Sequence, residues 1–232
     1  MKKKSILTAM LIGTLASSAV GAAQAAPQPA KGALAGIAWT GASNTDWHVA
    51  ANWSGGAVPG AADDVIIDVA AGTNHPTINL ASGAVTIKSL TIGTTTNVTL
   101  TFKNSLAIDV NRRLRVTGNV AIGANGKLTH ALEALGAGPE TQQIHLDVGG
   151  NLTIAASGRI DVTRCGYDSG PGAAINNNHG ASHGGQGGDT ERKGAIYGSV
   201  TNPVSSGSGF ANAARGGGTV KLTIAGGLAL NG

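Results

Sequence analysis

Apolar and polar residues alternate in short segments along the chain from Val85 onward. A spacing of two between apolar positions is the period of a β-strand with one buried face. The first segments place apolar residues at Val85, Ile87, Leu90, Ile92, Val98, Leu100, Phe102, Leu106, Ile108 and Val110. Gly, Asn, Ser and Thr separate the segments, as expected of turns. No convincing stretch of helical period follows the first 25 residues, so the pattern predicts an all-β protein.

One of these segments recurs. Leu114–Ile122 returns 32 residues later as Leu146–Ile154 and again, in part, as Leu222–Leu230. Gly126-Lys-Leu128 likewise returns as Gly158-Arg-Ile160. Short strands that repeat between Gly or Asn corners are typical of stacked coils. The repeat therefore predicts a right-handed parallel β-helix, or β-solenoid, whose inward positions hold Val, Ile and Leu.

The repeat also aligns corner residues. Asn119 and Asn151 occupy the same corner, where the third copy has Gly227. Asn and Gly adopt positive φ more readily than other residues, so we expect a left-handed backbone at this corner. Stacked copies would also allow the two Asn side chains to form a hydrogen-bonded ladder.

The first 25 residues have the composition of a secretory signal peptide. Lys2–Lys4 form a positive start, Ile6–Leu15 an apolar run, and Ala23-Gln-Ala25 a small-residue cleavage site. The apolar run is about half of the roughly 20 residues needed to span a bilayer, so a transmembrane anchor is not expected. We predict export, with a mature chain that begins near Ala26.

The mature chain divides into regions of different composition. Residues 26–36 form an Ala/Pro/Gly linker, and residues 37–82 form a cap that contains all three tryptophans and covers the first coil. The β-helix extends over residues 83–232. Within it, residues 164–219 hold 15 glycines and are predicted to leave the repeat as one long loop. We expect the sequence to be part of a longer protein and its last coil to expose apolar side chains.

Removal of the signal peptide changes the charge balance. Three of the 16 basic residues lie in it, so 13 basic and 12 acidic residues leave a net charge of +1. Only seven aromatic residues occur and no dense Lys/Arg run survives cleavage, so nucleic acid is not an expected partner.

Cys165 is the single cysteine, which excludes an intrachain disulfide and favours a buried role over a reactive thiol.

Two groups of motifs resemble those of large exported bacterial adhesin-like surface proteins. The first group lies in the cap: Trp39-Thr-Gly, Trp47, Asn52-Trp53, Val58-Pro-Gly60 and Asp63–Ile67. The second lies in the glycine-rich segment: Gly180-Ala-Ser-His-Gly-Gly185, Tyr197-Gly-Ser-Val-Thr-Asn-Pro203 and Gly207-Ser-Gly209. The resemblance covers most of residues 39–232 and implies a secreted β-helix. It implies no catalytic residues.

Two patterns suggest metal binding, and each has a simpler explanation. Gly184-Gly-Gln-Gly-Gly-Asp189 matches the start of a calcium-binding nonapeptide, but Glu191 replaces its apolar residue and the motif occurs once. His179 and His183 are four residues apart, but the glycines around them argue against a helix that would bring both to one metal. We therefore predict no metal and no cofactor.

A β-helical enzyme acting on polysaccharides would require paired carboxylates. Asp63 and Asp64 are adjacent, so on a strand they would point to opposite faces, and they are expected to shape a turn. The other candidates are outward strand carboxylates beside arginines: Asp109, Asp147 and Asp161, near Arg115 and Arg159. We expect these to be ion-pair partners and predict no catalytic residue.

These observations favour a non-enzymatic exported or cell-surface β-helical protein that acts in adhesion or in contact with the cell envelope or matrix. The alternative is a polysaccharide-acting hydrolase or lyase, or a carbohydrate-binding module. Glycans and host or environmental surfaces are the expected partners. Ligand contacts are predicted in the cap and the glycine-rich segment, at Trp47, Trp53, Tyr167, His183 and Tyr197.

Overall fold

A computed structural model of the chain describes residues 36–69, 72–104, 111–133, 141–173, 181–187, 194–199, 201, 204–210 and 214–231. These residues belong to one compact unit, Leu34–Gly232. The predicted signal peptide, residues 26–35 of the predicted linker and the apolar segment 106–110 lie outside the described residues.

The regular structure of the described residues is β-strand, apart from one 3-10 turn at Ala50–Asn52. The strands are β1 (Ile37–Ala38), β2 (Asp64–Ile67), β3 (Thr77–Asn79), β4 (Val85–Ile87), β5 (Ser89–Ile92), β6 (Val98–Lys103), β7 (Leu114–Val116), β8 (Val120–Ile122), β9 (Gly126–His130), β10 (Ile144–Val148), β11 (Leu152–Ile154), β12 (Arg159–Ile160), β13 (Val220–Ile224) and β14 (Leu228–Leu230). They form three sheets with the orders β1-β2-β5-β8-β11-β14, β3-β6-β9-β12 and β4-β7-β10-β13. The predicted all-β class is confirmed.

The chain visits the three sheets in turn. From β2 onward each strand pairs in parallel with the strand three places later, and we call one passage through the three sheets a circuit. Leu114 pairs with Leu146, and Leu146 pairs with Leu222, as the sequence repeat predicts. The predicted cap, residues 37–82, already contains β2 and β3, which are strands of the first circuit.

The buried faces of the three sheets contribute to one apolar core. In β6, Val98, Leu100 and Phe102 are buried, while Thr99 and Thr101 between them are only partly buried. Buried residues from all three sheets belong to a single cluster. Burial of one such side chain contributes about 1.5–3 kcal/mol, so the period-two pattern is the main source of stability.

The corners between β7 and β8 and between β10 and β11 differ from the sequence-based expectation. Among the described non-glycine residues, only Ser157 and Arg164 have positive φ, so the left-handed backbone predicted at Asn119 and Asn151 is wrong. Instead, Asn119 Oδ1 accepts the backbone N–H of Asn151 at 2.9 Å, and Asn151 Oδ1 accepts that of Gly227 at 2.7 Å. The ladder therefore joins side chain to backbone, and it satisfies corner N–H groups that strand pairing does not reach.

The last described strands leave apolar side chains exposed. Leu228 and Leu230 of β14 are 53% and 65% exposed, which confirms the expected apolar surface. Before them, the described residues of segment 164–219 contain no strand, and only an isolated bridge joins Phe210 to Ala214. Cys165 at its start is buried, as expected.

Candidate ligand-binding surfaces

The three tryptophans of the cap pack against one another and carry no exposed ring face. The ring centroids of Trp39 and Trp53 are 4.9 Å apart and those of Trp47 and Trp53 are 4.6 Å apart, both edge to face. Trp53 Nε1 donates to the Trp47 carbonyl at 2.8 Å. Trp47 and Trp53 are 0% and 3% exposed. Both rings therefore serve packing, and no sugar reaches them while the cap is folded.

The loop before Trp53 is organised by the fully buried Asn52. Its Oδ1 accepts the backbone N–H groups of Ser43 at 2.8 Å and Asn44 at 3.0 Å. Its Nδ2 donates to Asn44 Oδ1 and to the Asp46 carbonyl, both at 2.8 Å. All four hydrogen-bonding positions of one side chain are used, so Asn52 holds the loop that carries Trp47.

The predicted contact residues of the glycine-rich segment mainly hold the segment itself together. Tyr167 is buried. The rings of His183 and Tyr197 meet edge to face at 4.8 Å. His183 Nε2 lies 3.0 Å from the Ser205 carbonyl, and the Tyr197 hydroxyl donates to the Ser206 carbonyl at 2.6 Å. Of these residues only His183 is exposed, and its ring nitrogen is engaged.

Metal ligation has no support in the described part of the chain. No group of three or more His, Cys, Asp or Glu residues there could hold a metal ion. His179 and Asp189, which belong to the two metal-binding patterns, lie outside the described residues, as does Asp109.

Every described carboxylate has a hydrogen-bonding or ion-pair partner: Asp46, Asp63, Asp64, Asp68, Glu133, Asp147, Asp161 and Asp168. Asp63 accepts the Gly60 N–H and closes a turn, as predicted. Asp64 lies in β2 and bonds to Lys88 and Ser89, and the hydrogen bond from Lys88 is the main cause of its lowered pKa. These contacts position corners and strands.

Asp68 links two circuits through the turn Thr94–Thr96. Its carboxylate accepts hydrogen bonds from all three threonine hydroxyls and from the backbone N–H groups of Thr95 and Thr96. Partial burial raises the pKa of this carboxyl, but the hydrogen bonds from Thr94, Thr96 and Thr95 outweigh it and lower the pKa to about 2. The ionised form is therefore the one that the fold stabilises.

We expect this carboxylate to make stability depend on acidity. Because its pKa falls from 3.8 to about 2 on folding, its stabilisation is complete above pH 3.8 and is lost as the pH falls towards 2. After allowance for solvent screening, the loss is about 1 kcal/mol. Chemical denaturation at pH 6, 4 and 2.5 measures it. Asp68→Asn should be less stable at pH 6 and lose less on acidification, whereas equal pH profiles would contradict this role.

The outer face of the β4-β7-β10-β13 sheet carries a groove of about 290 Å³. We call it the charged groove, and the residues that line it include Arg113, Arg115, Thr117, Asp147, Gly149 and Thr223. It spans three neighbouring strands, because Arg115 of β7 pairs with Asp147 of β10, and Asp147 pairs with Thr223 of β13. The groove therefore lies on regular strands of three successive circuits.

Small residues line one end of the charged groove, and an ion pair lies nearer its other end. Arg113 Nε and Asp147 Oδ2 form an ion pair of 2.7 Å in which each side chain is about one quarter exposed. Thr117 and Gly149 lie just beyond the ends of β7 and β10. A Cβ on Gly149 would lie 2.3 Å from the Thr117 carbonyl oxygen, so close backbone approach requires glycine there. Because these residues are small, no long side chain rises from this side of the groove.

His145 lies beside the charged groove and adds no charge near neutral pH. Burial lowers the pKa of its imidazole; Lys221 and Arg113 lower it further, and Asp147 opposes them. Its Nε2 is 3.5 Å from Asp147 Oδ1, and its buried Nδ1 has no hydrogen-bonding partner among the described residues. Lys221 of β13 pairs with His145 of β10. The groups in and beside the groove that carry charge near neutral pH include Arg113, Arg115, Lys221 and Asp147.

A second groove, of about 370 Å³, lies on the outer face of β2, β5 and β8. Asp64, Lys88, Ser89, Thr91 and Asn119 line it. Lys88 Nζ is 2.8 Å from Asp64 Oδ2, so the carboxylate and the ammonium of this groove neutralise each other.

Part of the charged groove can be predicted from the sequence. The sequence predicts an ion pair between Asp147 and the nearby Arg115, whereas the arginine of the ion pair is Arg113. Lys221 was missed because the glycine-rich segment separates β13 from β10 in sequence. The sequence signal that locates Lys221 is the alignment of Leu222 with Leu146, which makes Lys221 the neighbour of His145.

A family model described as a domain of unknown function (DUF8693) matches residues 38–143. The match includes the tryptophan cap, Arg113 and Arg115, and it ends before β10. No curated protein and no solved structure matches the chain. In the described residues, no helix has the length and apolar character required to cross a membrane.

Proposed function

We propose that the protein is an exported, non-enzymatic right-handed parallel β-helix that acts at the cell surface in adhesion or in contact with the envelope or matrix. The regular visit of the chain to three parallel sheets supports the β-helical path, and the composition of residues 1–25 supports export. In this proposal the stacked circuits form a rigid support, and the outer faces bind glycans.

The observation that carries the proposal is the charged groove. It is open, it extends across β7, β10 and β13, and three of its polar side chains, Arg115, Asp147 and Thr223, project from strands. Strands hold side chains in a fixed arrangement, which lowers the entropy lost when a ligand binds. An open groove across several strands suits an extended polymer better than a small enclosed molecule.

The carboxylates favour binding over hydrolysis. Glycoside hydrolysis requires two carboxyl groups roughly 5–9.5 Å apart, one of them able to donate a proton. Asp147 is the single carboxylate that lines the charged groove, and it is paired with Arg113. The second groove likewise has one lining carboxylate, Asp64, which is bonded to Lys88 and Ser89.

We expect the purified chain to bind glycans without degrading them. Native electrophoresis through gels that contain polysaccharides should show retarded migration, and incubation should release neither new reducing ends nor unsaturated products. Tryptophan emission should be blue and unchanged by glycan, because Trp47 and Trp53 are buried. Release of sugar products would instead support the enzymatic alternative, and a change in the tryptophan emission on binding would place the ligand at the cap. Unchanged migration in every gel would contradict the proposal.

A further inference from the structure

Two cations, Arg115 in the charged groove and Lys221 beside it, have no ion-pair partner among the described residues. Arg115 is exposed on β7, and Lys221 is partly buried on β13. The ion pair of this face joins Arg113 to Asp147 and leaves both cations out. His145 is neutral near pH 7 because of its burial, so the face keeps an excess of positive charge.

We infer that the charged groove binds an anionic polysaccharide, whose carboxylate or sulfate groups pair with Arg115 and Lys221. This inference rests on the proposed function, since it names the chemical class of glycan. Arg115 offers a planar fork of N–H donors that matches either acidic group with two hydrogen bonds, and Lys221 adds a point charge.

The positions of the two cations favour a polymer. Arg115 and Lys221 lie on β7 and β13, which flank β10, so their strands are two spacings apart, about 10 Å. Strand side chains stand roughly perpendicular to the sheet, so the two charges are presented at separate positions, which matches successive acidic groups of a polymer. Electrostatic attraction also weakens with salt, which gives the interaction a measurable signature.

The rest of the charged groove suits sugar hydroxyls. The Arg113–Asp147 pair and the Thr223 side chain offer hydrogen-bond donors and acceptors close to the two cations. The side chains that line the groove include no aromatic residue on which a nucleobase could stack. These features favour an acidic glycan over a nucleic acid.

The test is electrophoresis of the purified chain at low salt through gels that contain alginate, dextran sulfate or neutral dextran. We expect retardation by alginate, by dextran sulfate or by both, and the two arms distinguish carboxylate from sulfate. Arg115→Gln should weaken the apparent affinity roughly tenfold, and Lys221→Gln should weaken it less. Arg115→Lys should fall between wild type and Arg115→Gln, because it keeps the charge and loses the fork.

Lys127→Gln is the matched control. Lys127 is a partly buried residue on β9, in a different sheet, so its removal lowers the net charge equally and should leave the affinity unchanged. Equal thermal midpoints of all variants would show that the fold is retained. Retardation that is insensitive to Arg115 and Lys221, or stronger retardation in a parallel gel that contains duplex DNA than in either acidic-glycan gel, would overturn the inference. Retardation by neutral dextran alone would overturn it while leaving the proposed function intact, and no retardation in any gel would overturn both.

Discussion

Asn52→Asp is expected to destabilise the protein by about 3–5 kcal/mol, although the two side chains have nearly the same shape. In the native cap, Nδ2 of Asn52 donates to Asn44 Oδ1 and to the Asp46 carbonyl. In the variant, an oxygen replaces this donor and faces two acceptors. A negative charge would also be buried at a residue that is 0% exposed. Denaturation followed by tryptophan fluorescence measures the loss, because Trp47 and Trp53 report on the same cap.

Asn119→Asp provides the matched control. Asn119 is exposed, and its Oδ1 accepts the Asn151 N–H, an interaction that a carboxylate can also make. We expect a change within about 0.5 kcal/mol, as for surface substitutions in general. If both variants lost the same stability, the effect would arise from the exchange of amide for carboxylate rather than from burial of Asn52.

The register of the later circuits could be predicted from the sequence for a physical reason. Parallel strands with a buried face need apolar residues at matching positions, so Leu114, Leu146 and Leu222 recur at the same point of each copy and pair in the structure. The glycine-rich segment does not disturb this register. It interrupts the chain between β12 and β13, and pairing resumes at Val220.

The contacts at the corners could be predicted only in part, because they depend on the backbone path between strands. Asn119 and Asn151 suggested positive φ, yet the structure uses their side-chain oxygens to bind the following corner. Asp68 meets the turn Thr94–Thr96 because the strands just before them pair, Ile67 of β2 with Ile92 of β5. The sequence spacing between Asp68 and this turn occurs only at the step from β2 to β5. A local motif carries no information about such a contact.

The candidate sites likewise include one that could be predicted from the sequence and one that could not. Clustering of Trp39, Trp47 and Trp53 in sequence predicted their packing, because large apolar rings are buried whenever the chain allows it. The charged groove depends on three strands from three circuits. Arg115 and Lys221 become neighbours of the same strand, β10, only when the register across the glycine-rich segment is known.

Gly93→Ala is expected to destabilise the protein by about 3 kcal/mol or more. Gly93 follows β5 with φ of +64°, and a Cβ there would lie 2.1 Å from the backbone nitrogen of Gly126 in the next circuit. Its carbonyl accepts the Asn125 N–H, so the clash cannot be relieved without separating the two circuits. The free energy of unfolding, measured by chemical denaturation, should fall accordingly.

Gly56→Ala separates the steric contribution from the backbone contribution. Gly56 has φ of +65°, but a Cβ built there has nothing within 4 Å. Its substitution should therefore cost only the left-handed conformation of a residue with a side chain, about 1–2 kcal/mol. The difference between the two variants measures how closely successive circuits approach at Gly93. Equal losses would mean that the circuits can separate there at no cost, which would contradict the rigid stack on which the proposed binding surface depends.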